Sequence, residues 1–309
     1  MYKPKDFIET EHGLRFAVVA EGSETGMIRC FLRYIFQDGR WRKVATETAN
    51  GYLRAYFPQY LFHSAELDAD LHAVDRLAII RHYSPTAVLQ TLLQQADADP
   101  VLADLRQLCG LLQAEGIPND NLGITGSLLI GLQNPDSDID LLCYDRCLFH
   151  QLRRTVQNLI EQRHCQPLSD ADWRESYRRR ACDELSLEEY IRHERRKFNK
   201  AMINRRKFDI TLVSADARVA EKRFRKLGPV RIEAVISDDS HAFDYPAEFA
   251  LDHAEIACAV SFTATYSGQA QTGERVSIAG QLEQDQHGGK RIVIGSDREA
   301  AGEYIKVLW

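Results

Sequence analysis

The spacing of apolar side chains changes twice along this chain and predicts three regions. In residues 1–98, an apolar strand pattern over residues 29–37 is followed by Asp38-Gly39 and a second short strand. This order is typical of a β-hairpin because both turn positions tolerate positive φ. Two helical patterns follow, the second beginning at Ser84-Pro85, where proline suits a first helical turn. We expect an α+β N-terminal unit without recognisable chemistry.

From residue 99 the pattern predicts an α/β layer. Apolar residues recur at helical spacing between Pro100 and Glu115. A short strand over residues 122–125, a tight turn with a brief helix, and a strand over residues 138–145 come next. Residues 208–214 predict a returning strand. This order predicts a core with a mixed sheet, spanning residues 99–227.

Residues 228–309 alternate in the manner of β-strands. Apolar residues occupy every second position from Val230 to Ile236, and a hairpin is predicted at His287-Gly-Gly289. Residues 303–308 predict a last strand. Several short strands within about eighty residues predict a small β-barrel, for which an OB-like barrel is one candidate.

The composition narrows the class of protein. With 44% hydrophobic and 27% charged residues, and no run of roughly twenty apolar residues, the chain predicts a globular protein without a membrane partner. Its first residues lack the layout of a signal peptide, so we expect a cytoplasmic location. The seven cysteines form no CxxC pair, which argues against a disulfide framework and a zinc ribbon.

The net charge of −6 hides one basic segment, residues 174–207, which holds 12 Lys+Arg against 6 Asp+Glu and so carries +6. Residues 186–202 within it predict a helix that begins with a Ser186–Glu189 capping box. Arg192, Arg196 and Lys200 then line one face at i, i+4 and i+8. Such a stripe is either a solvated helix face or a surface that binds phosphate groups, either of a nucleoside triphosphate or of a nucleic acid.

The candidate chemistry lies between residues 123 and 145. In a strand, Asp138 and Asp140 point the same way, some 6–7 Å apart, and two such carboxylates repel each other unless a cation lies between them. Hard oxygen ligands suit Mg²⁺ (or Mn²⁺). Upstream, Gly126 permits a sharp turn, and Ser127 begins a helix whose free N–H groups favour a phosphate.

This segment resembles the hallmark of the DNA polymerase beta-like nucleotidyltransferase superfamily, which is Gly-Ser, a gap of ten residues and then Asp-Ile-Asp. The resemblance covers residues 99–214, and the whole chain is similar to a group of predicted archaeal and bacterial nucleotidyltransferases of unassigned substrate. It implies a nucleotidyltransferase α/β core with a third metal carboxylate on a following strand, which Asp209 matches. One departure is the apolar segment 128–132, where small members often carry basic residues.

These features together predict a metal-dependent nucleotidyltransferase that moves a nucleoside monophosphate from an NTP to a hydroxyl, with RNA or another nucleic acid as acceptor. Two alternatives stay open: nucleotidylation of a protein or small molecule, and a catalytically silent nucleotide- or RNA-binding module. For Asp209 the alternative to a metal ligand is a strand-start residue that caps or pairs with Arg205 or Arg206.

Overall fold

The computed structural model describes residues 2–95, 99–180, 184–213, 224–296 and 300–309. They form two compact units, Met1–Tyr144 and Asp145–Trp309. The mixture of helices and sheets confirms the predicted α+β class. The division into regions 1–98, 99–227 and 228–309 stays a prediction. Within the described ranges, no helix is long and apolar enough to cross a membrane.

The first unit contains an antiparallel sheet. Its strands are β1 (Phe7–Thr10), β2 (Leu14–Val18), β3 (Met27–Gln37), β4 (Arg40–Lys43), β5 (Leu61–Ser64), β6 (Ala69–Asp75) and β7 (Ile79–Tyr83). They pair in the order β5-β6-β3-β2-β1-β7, with β4 on β3. Asp38 and Gly39, at φ 53° and 74°, form the β3–β4 turn, which confirms the predicted hairpin.

Two helices of the first unit begin at the predicted prolines, Pro85 and Pro100, whereas the brief helix predicted to run through Leu132 ends at Leu129. The helices of this unit are α1 (Thr46–Tyr56), α2 (Pro85–Gln94), α3 (Pro100–Ala114) and the short α4 (Gly126–Leu129). The Asp99 carboxylate caps α3 by accepting from the Val101 amide at 2.8 Å. Gly116, at φ 82°, ends this helix, and the Ile117 amide donates to the Leu112 carbonyl at 3.0 Å, as in a Schellman motif.

Two strands frame the candidate motif, β8 (Leu122–Thr125) and β9 (Ile139–Cys143), and they pair antiparallel. Leu129 and Ile130, at the end of α4, are buried with Phe7, Tyr34 and Tyr83 from the first sheet. Burial of large apolar side chains contributes about 1.5–3 kcal/mol each, so this cluster fixes the turn that precedes β9.

The second unit opens with three helices and a hairpin. These are α5 (Arg146–Glu161), α6 (Asp170–Arg180), α7 (Leu187–Arg195), β10 (Lys200–Ile203) and β11 (Arg206–Leu212). The Ser186–Glu189 capping box is confirmed. The predicted helix over residues 186–202 is wrong beyond Arg195. Asn204 and Arg205, at φ 48° and 69°, form a two-residue turn with two positive φ angles, which pairs β10 with β11.

A six-stranded sheet follows. Its strands are β12 (Phe224–Asp238), β13 (Ala247–Asp252), β14 (Cys258–Ser261), β15 (Arg275–Asp285), β16 (Lys290–Ile294) and β17 (Tyr304–Val307). They pair in the order β12-β13-β14-β16-β15-β17, and β12 also pairs with β15. Every pairing is antiparallel except β14–β16. The predicted strands and the β15–β16 hairpin are confirmed, and the barrel remains a proposal.

Candidate functional site

Gly126 and Asp140 are in direct contact. Thr125, the last residue of β8, lies opposite Asp140 in β9, so the chain turns at Gly126 beside that carboxylate. Gly126 has φ 69°, and a Cβ atom at this position would lie 2.4 Å from Asp140 Oδ2. Glycine is therefore required twice, for the left-handed backbone and for the close approach.

Ser127 is tied to the loop that leads into Asp138. Its hydroxyl donates to Ser137 Oγ at 3.2 Å, and Ser137 Oγ also accepts from the Asn134 amide at 2.9 Å. The Asn134 side chain accepts from the Asp136 amide, which gives this loop an Asx turn. The turn and both half-buried carboxylates are thus held within one strand–turn–strand segment.

Arg15 of the first sheet holds this segment by a hydrogen bond to the Ile130 carbonyl. It is buried and donates to the Ile130 carbonyl at 3.1 Å and to Glu9 at 2.8 Å. Its guanidinium lies 3.8 Å from the centre of the Trp41 ring. No signal in the local sequence pattern distinguishes Arg15, because the contact with Ile130 joins residues that are 115 positions apart.

Two tyrosines near the same segment have raised pKa values. Burial raises the pKa of Tyr34, opposed by Arg33, and the Asp140 carboxylate raises it further. Burial and a hydrogen bond to Glu9 raise the pKa of Tyr83 to about 12. Both phenols therefore stay protonated at neutral pH and can act as hydrogen-bond donors.

Asp209 lies on β11 in the second unit, on the face opposite buried Phe208 and Ile210, as the alternation predicted. Its ion-pair partner is Lys207, with Nζ 3.5 Å from Oδ2, so the predicted alternative with Arg205 or Arg206 is wrong. Within the described part of the chain, Oδ1 is buried and accepts no hydrogen bond. A buried carboxylate oxygen without a partner is costly, and a cation would offset that cost.

The predicted basic face does not form on one helix. Arg192 is exposed on α7, and its guanidinium lies 3.6 Å from the centre of the Trp309 ring. Arg196 lies just after α7 and binds Glu274 with N···O distances of 2.5 and 2.7 Å. Lys200 is in β10, not on the helix. The i, i+4, i+8 alignment is therefore wrong, whereas the phosphate-binding role of these residues stays a prediction.

Lys200 joins a buried ion cluster with Lys197 and Glu194. Both ammonium groups donate to the Glu194 carboxylate, and Lys197 Nζ also donates to the Thr265 carbonyl at 2.9 Å. Burial alone would raise the pKa of Glu194, but the two lysines hold that pKa well below its ordinary value. The charge of Lys200 is thus compensated inside the second unit.

The structure brings together Gly126 and Asp140, and it ties Ser127 to the loop before Asp138. Asp209 belongs to the second unit, and its part in the same site stays a prediction. Among the residues that the structure describes, no three His, Cys, Asp or Glu side chains are grouped so that they could hold a metal ion.

A comparison with curated proteins finds a protein that is similar to this chain over nearly the whole length of both. The uncharacterized protein MJ1086 of Methanocaldococcus jannaschii is 31% identical over 333 aligned positions, which cover 98% of each chain. No protein-family model and no solved structure matches the chain.

Proposed function

The chain belongs to the family of the uncharacterized protein MJ1086, and we propose that it is a metal-dependent nucleotidyltransferase acting in the cytoplasm. The observation that supports this proposal is the contact between Gly126 and the Asp140 carboxylate. A turn without a side chain lets a metal-binding carboxylate approach the backbone N–H groups that would bind a phosphate. The reaction class is inferred from the resemblance of the Gly-Ser and Asp-Ile-Asp segments to the nucleotidyltransferase hallmark.

The donor set fits a hard divalent cation. Asp138 and Asp140 supply carboxylates that are neither fully buried nor fully exposed, and Asp209 has a buried oxygen that accepts no hydrogen bond among the described residues. Asp138 and Asp140 would hold Mg²⁺ or Mn²⁺, and Asp209 as a third ligand is what the superfamily resemblance implies. Bound metal would neutralise triphosphate charge and lower the pKa of the acceptor hydroxyl.

In the proposed reaction, the hydroxyl oxygen of the acceptor forms a bond to the α-phosphorus of the NTP. The bond from that phosphorus to the bridging oxygen breaks, pyrophosphate leaves, and the hydroxyl proton passes to solvent. Gly126 and Ser127 would hold the β- and γ-phosphates through backbone N–H groups and the hydroxyl. Their contacts with Asp140 and with the loop before Asp138 keep these donors and the carboxylates in one arrangement.

RNA is the proposed acceptor, supported by the pairing of the C-terminal strands. Successive pairings β12-β13-β14-β16-β15 return to β12, and β14–β16 is parallel. We propose that these strands form a small barrel of the OB type, an architecture that binds oligonucleotides.

The test is incubation with each α-labelled NTP and Mg²⁺ or Mn²⁺, in the presence of total RNA or cell lysate. Label in RNA supports the leading proposal, label in protein or a small molecule supports the first alternative, and no label supports a binding module. Asp138→Asn and Asp140→Asn should each abolish transfer without unfolding the protein. Asp136→Asn, an exposed neighbour, is the matched control. Full transfer by either of the first two variants overturns the assignment.

Asp209→Ala tests the third carboxylate. We expect this variant to bind NTP and Mg²⁺ almost normally and to transfer very slowly, because a third carboxylate serves the ion at the acceptor hydroxyl. Nucleotide affinity by calorimetry and single-turnover transfer separate the two steps. Near-normal turnover would remove Asp209 from the site.

A further inference from the structure

Helix α5 carries a cavity within the second unit. The cavity has a volume of about 170 Å³ and is lined by His150, Arg153, Arg154, Gln157 and Phe198. The four α5 residues follow the i, i+3, i+4, i+7 spacing of one helix face. None of these residues takes part in the proposed transfer chemistry.

Arg153 is fixed in the wall of the cavity. Its Nε donates to the Lys197 carbonyl at 2.5 Å, and its Nη1 lies 3.2 Å from His150 Nδ1. Its guanidinium lies 4.0 Å from the centre of the Phe243 ring. Because these contacts hold the guanidinium in place, little side-chain entropy is lost when a ligand binds to it.

Positive charge in the cavity is incompletely balanced. The lining residues include no carboxylate, and Arg154 has no ion-pair partner in the described ranges. Asp239 acts electrostatically on His150 and Arg153, and its carboxylate also accepts from the Thr272 hydroxyl at 2.7 Å. Asp239 is thus the acid that acts on His150 and Arg153, and it is shared with the Thr272 hydroxyl.

Burial and the positive charge around the cavity lower the pKa of His150. Burial is the larger cause, and the positive charges of Arg153 and Arg154 lower the pKa further, with Arg146 acting in the same direction. Burial also lowers the pKa of Arg153, to about 10, which leaves that guanidinium charged at neutral pH. An anion in the cavity would relieve this mutual repulsion.

We propose that this cavity binds a phosphate group. Planar guanidinium donors match phosphate oxygens, and a space below the roughly 300–1,000 Å³ of drug-sized ligand sites suits one anionic group better than a whole nucleotide. Two sources present that group: free inorganic phosphate and the phosphodiester backbone of a nucleic acid. The proposal does not depend on nucleotidyl transfer, because it concerns other residues and requires no reaction.

The test measures binding to the full-length protein at constant ionic strength. Inorganic phosphate is titrated by calorimetry, and a short fluorescent single-stranded RNA of mixed sequence is titrated by anisotropy. Variants Arg154→Glu and Arg154→Lys change the cavity at an exposed position, so both should fold. Arg174→Glu, at an exposed residue of α6, is the control with the same change of charge.

Arg154→Glu should weaken phosphate binding about tenfold or more, and Arg154→Lys, which keeps the charge but loses the planar donors, should weaken it less, whereas Arg174→Glu should stay close to the parent protein. Saturating phosphate should raise the pKa of His150, as followed by NMR. If RNA affinity falls in parallel and phosphate displaces the RNA, the backbone is the source. If RNA binding is unchanged, the source is the free anion.

Two outcomes would overturn the proposal. One is equal phosphate affinity in Arg154→Glu and Arg174→Glu, and the other is a His150 pKa that saturating phosphate leaves unmoved.

Discussion

Replacement of Gly126 by alanine tests the contact on which the proposed site depends. The backbone at Gly126 has φ 69°, and a left-handed non-glycine residue costs about 1–2 kcal/mol. The new Cβ would also lie 2.4 Å from Asp140 Oδ2, so the carboxylate or the turn must move. Displacement within a packed segment costs roughly a further 1–3 kcal/mol. We expect Gly126→Ala to lower the free energy of unfolding by about 2–5 kcal/mol.

Gly131→Ala is the matched control. Gly131 has φ 66°, but a Cβ atom there would meet no atom within 4 Å. This variant should therefore lose only the backbone contribution, about 1–2 kcal/mol. Urea unfolding of both variants isolates the contribution of the contact with Asp140, and this comparison needs no enzymatic activity.

Transfer activity gives a second readout. Movement of a catalytic group by about 1 Å can cost on the order of a hundredfold in rate, so Gly126→Ala should lose that much while Gly131→Ala keeps most of its activity. Equal losses of stability in the two variants would refute the structural reasoning. If Gly126→Ala is the less stable variant but both variants transfer equally well, the contact stabilises the fold without contributing to catalysis.

Three further predictions concern charges inside the two units. Arg196→Gln should cost about 2–4 kcal/mol in urea unfolding because it leaves Glu274 unpaired, whereas Arg192→Gln should cost less than about 1 kcal/mol. Similar costs would contradict the ion-pair assignment. Arg15→Met should likewise remove the ion-pair partner of Glu9, and Glu9→Gln in the same protein should restore part of the lost stability in a double-mutant cycle. Additive losses would argue against coupling. Burial lowers the pKa of His193 to about 4 from 6.5, so the unfolded chain takes up a proton first as the pH falls. The free energy of unfolding should then drop by up to about 3 kcal/mol between pH 6.5 and 4, and the pH profile of His193→Asn should lack this contribution.

Local signals allowed much of the first unit to be predicted. The β3–β4 hairpin forms because Asp38 and Gly39 both take positive φ, and α3 ends at Gly116 because this residue permits a Schellman motif. Each of these features depends on a few neighbouring residues. The approach of Asp140 to Gly126 also joins adjacent elements, and both residues belong to the motif that the sequence predicts.

The features that could not be predicted depend on distant partners. Residues 196–202 fit helical spacing, but Lys197 lies where it can reach the Thr265 carbonyl, 68 positions away. The Asn204-Arg205 turn then reverses the chain between β10 and β11. The support that Arg15 gives to Ile130 escaped prediction for the same reason.

The same distant partners set an order of events during synthesis. Lys197 cannot donate to the Thr265 carbonyl until 68 more residues are made. His193 accepts a hydrogen bond from the Val307 amide, which is made 114 residues after His193. At roughly 5–20 residues per second, the ribosome needs roughly 6–23 s to supply that last partner. Throughout this interval α7 carries groups that the finished protein buries. These groups of the nascent second unit therefore stay exposed until the last strands are made, and slower elongation over β12–β17 lengthens that exposure.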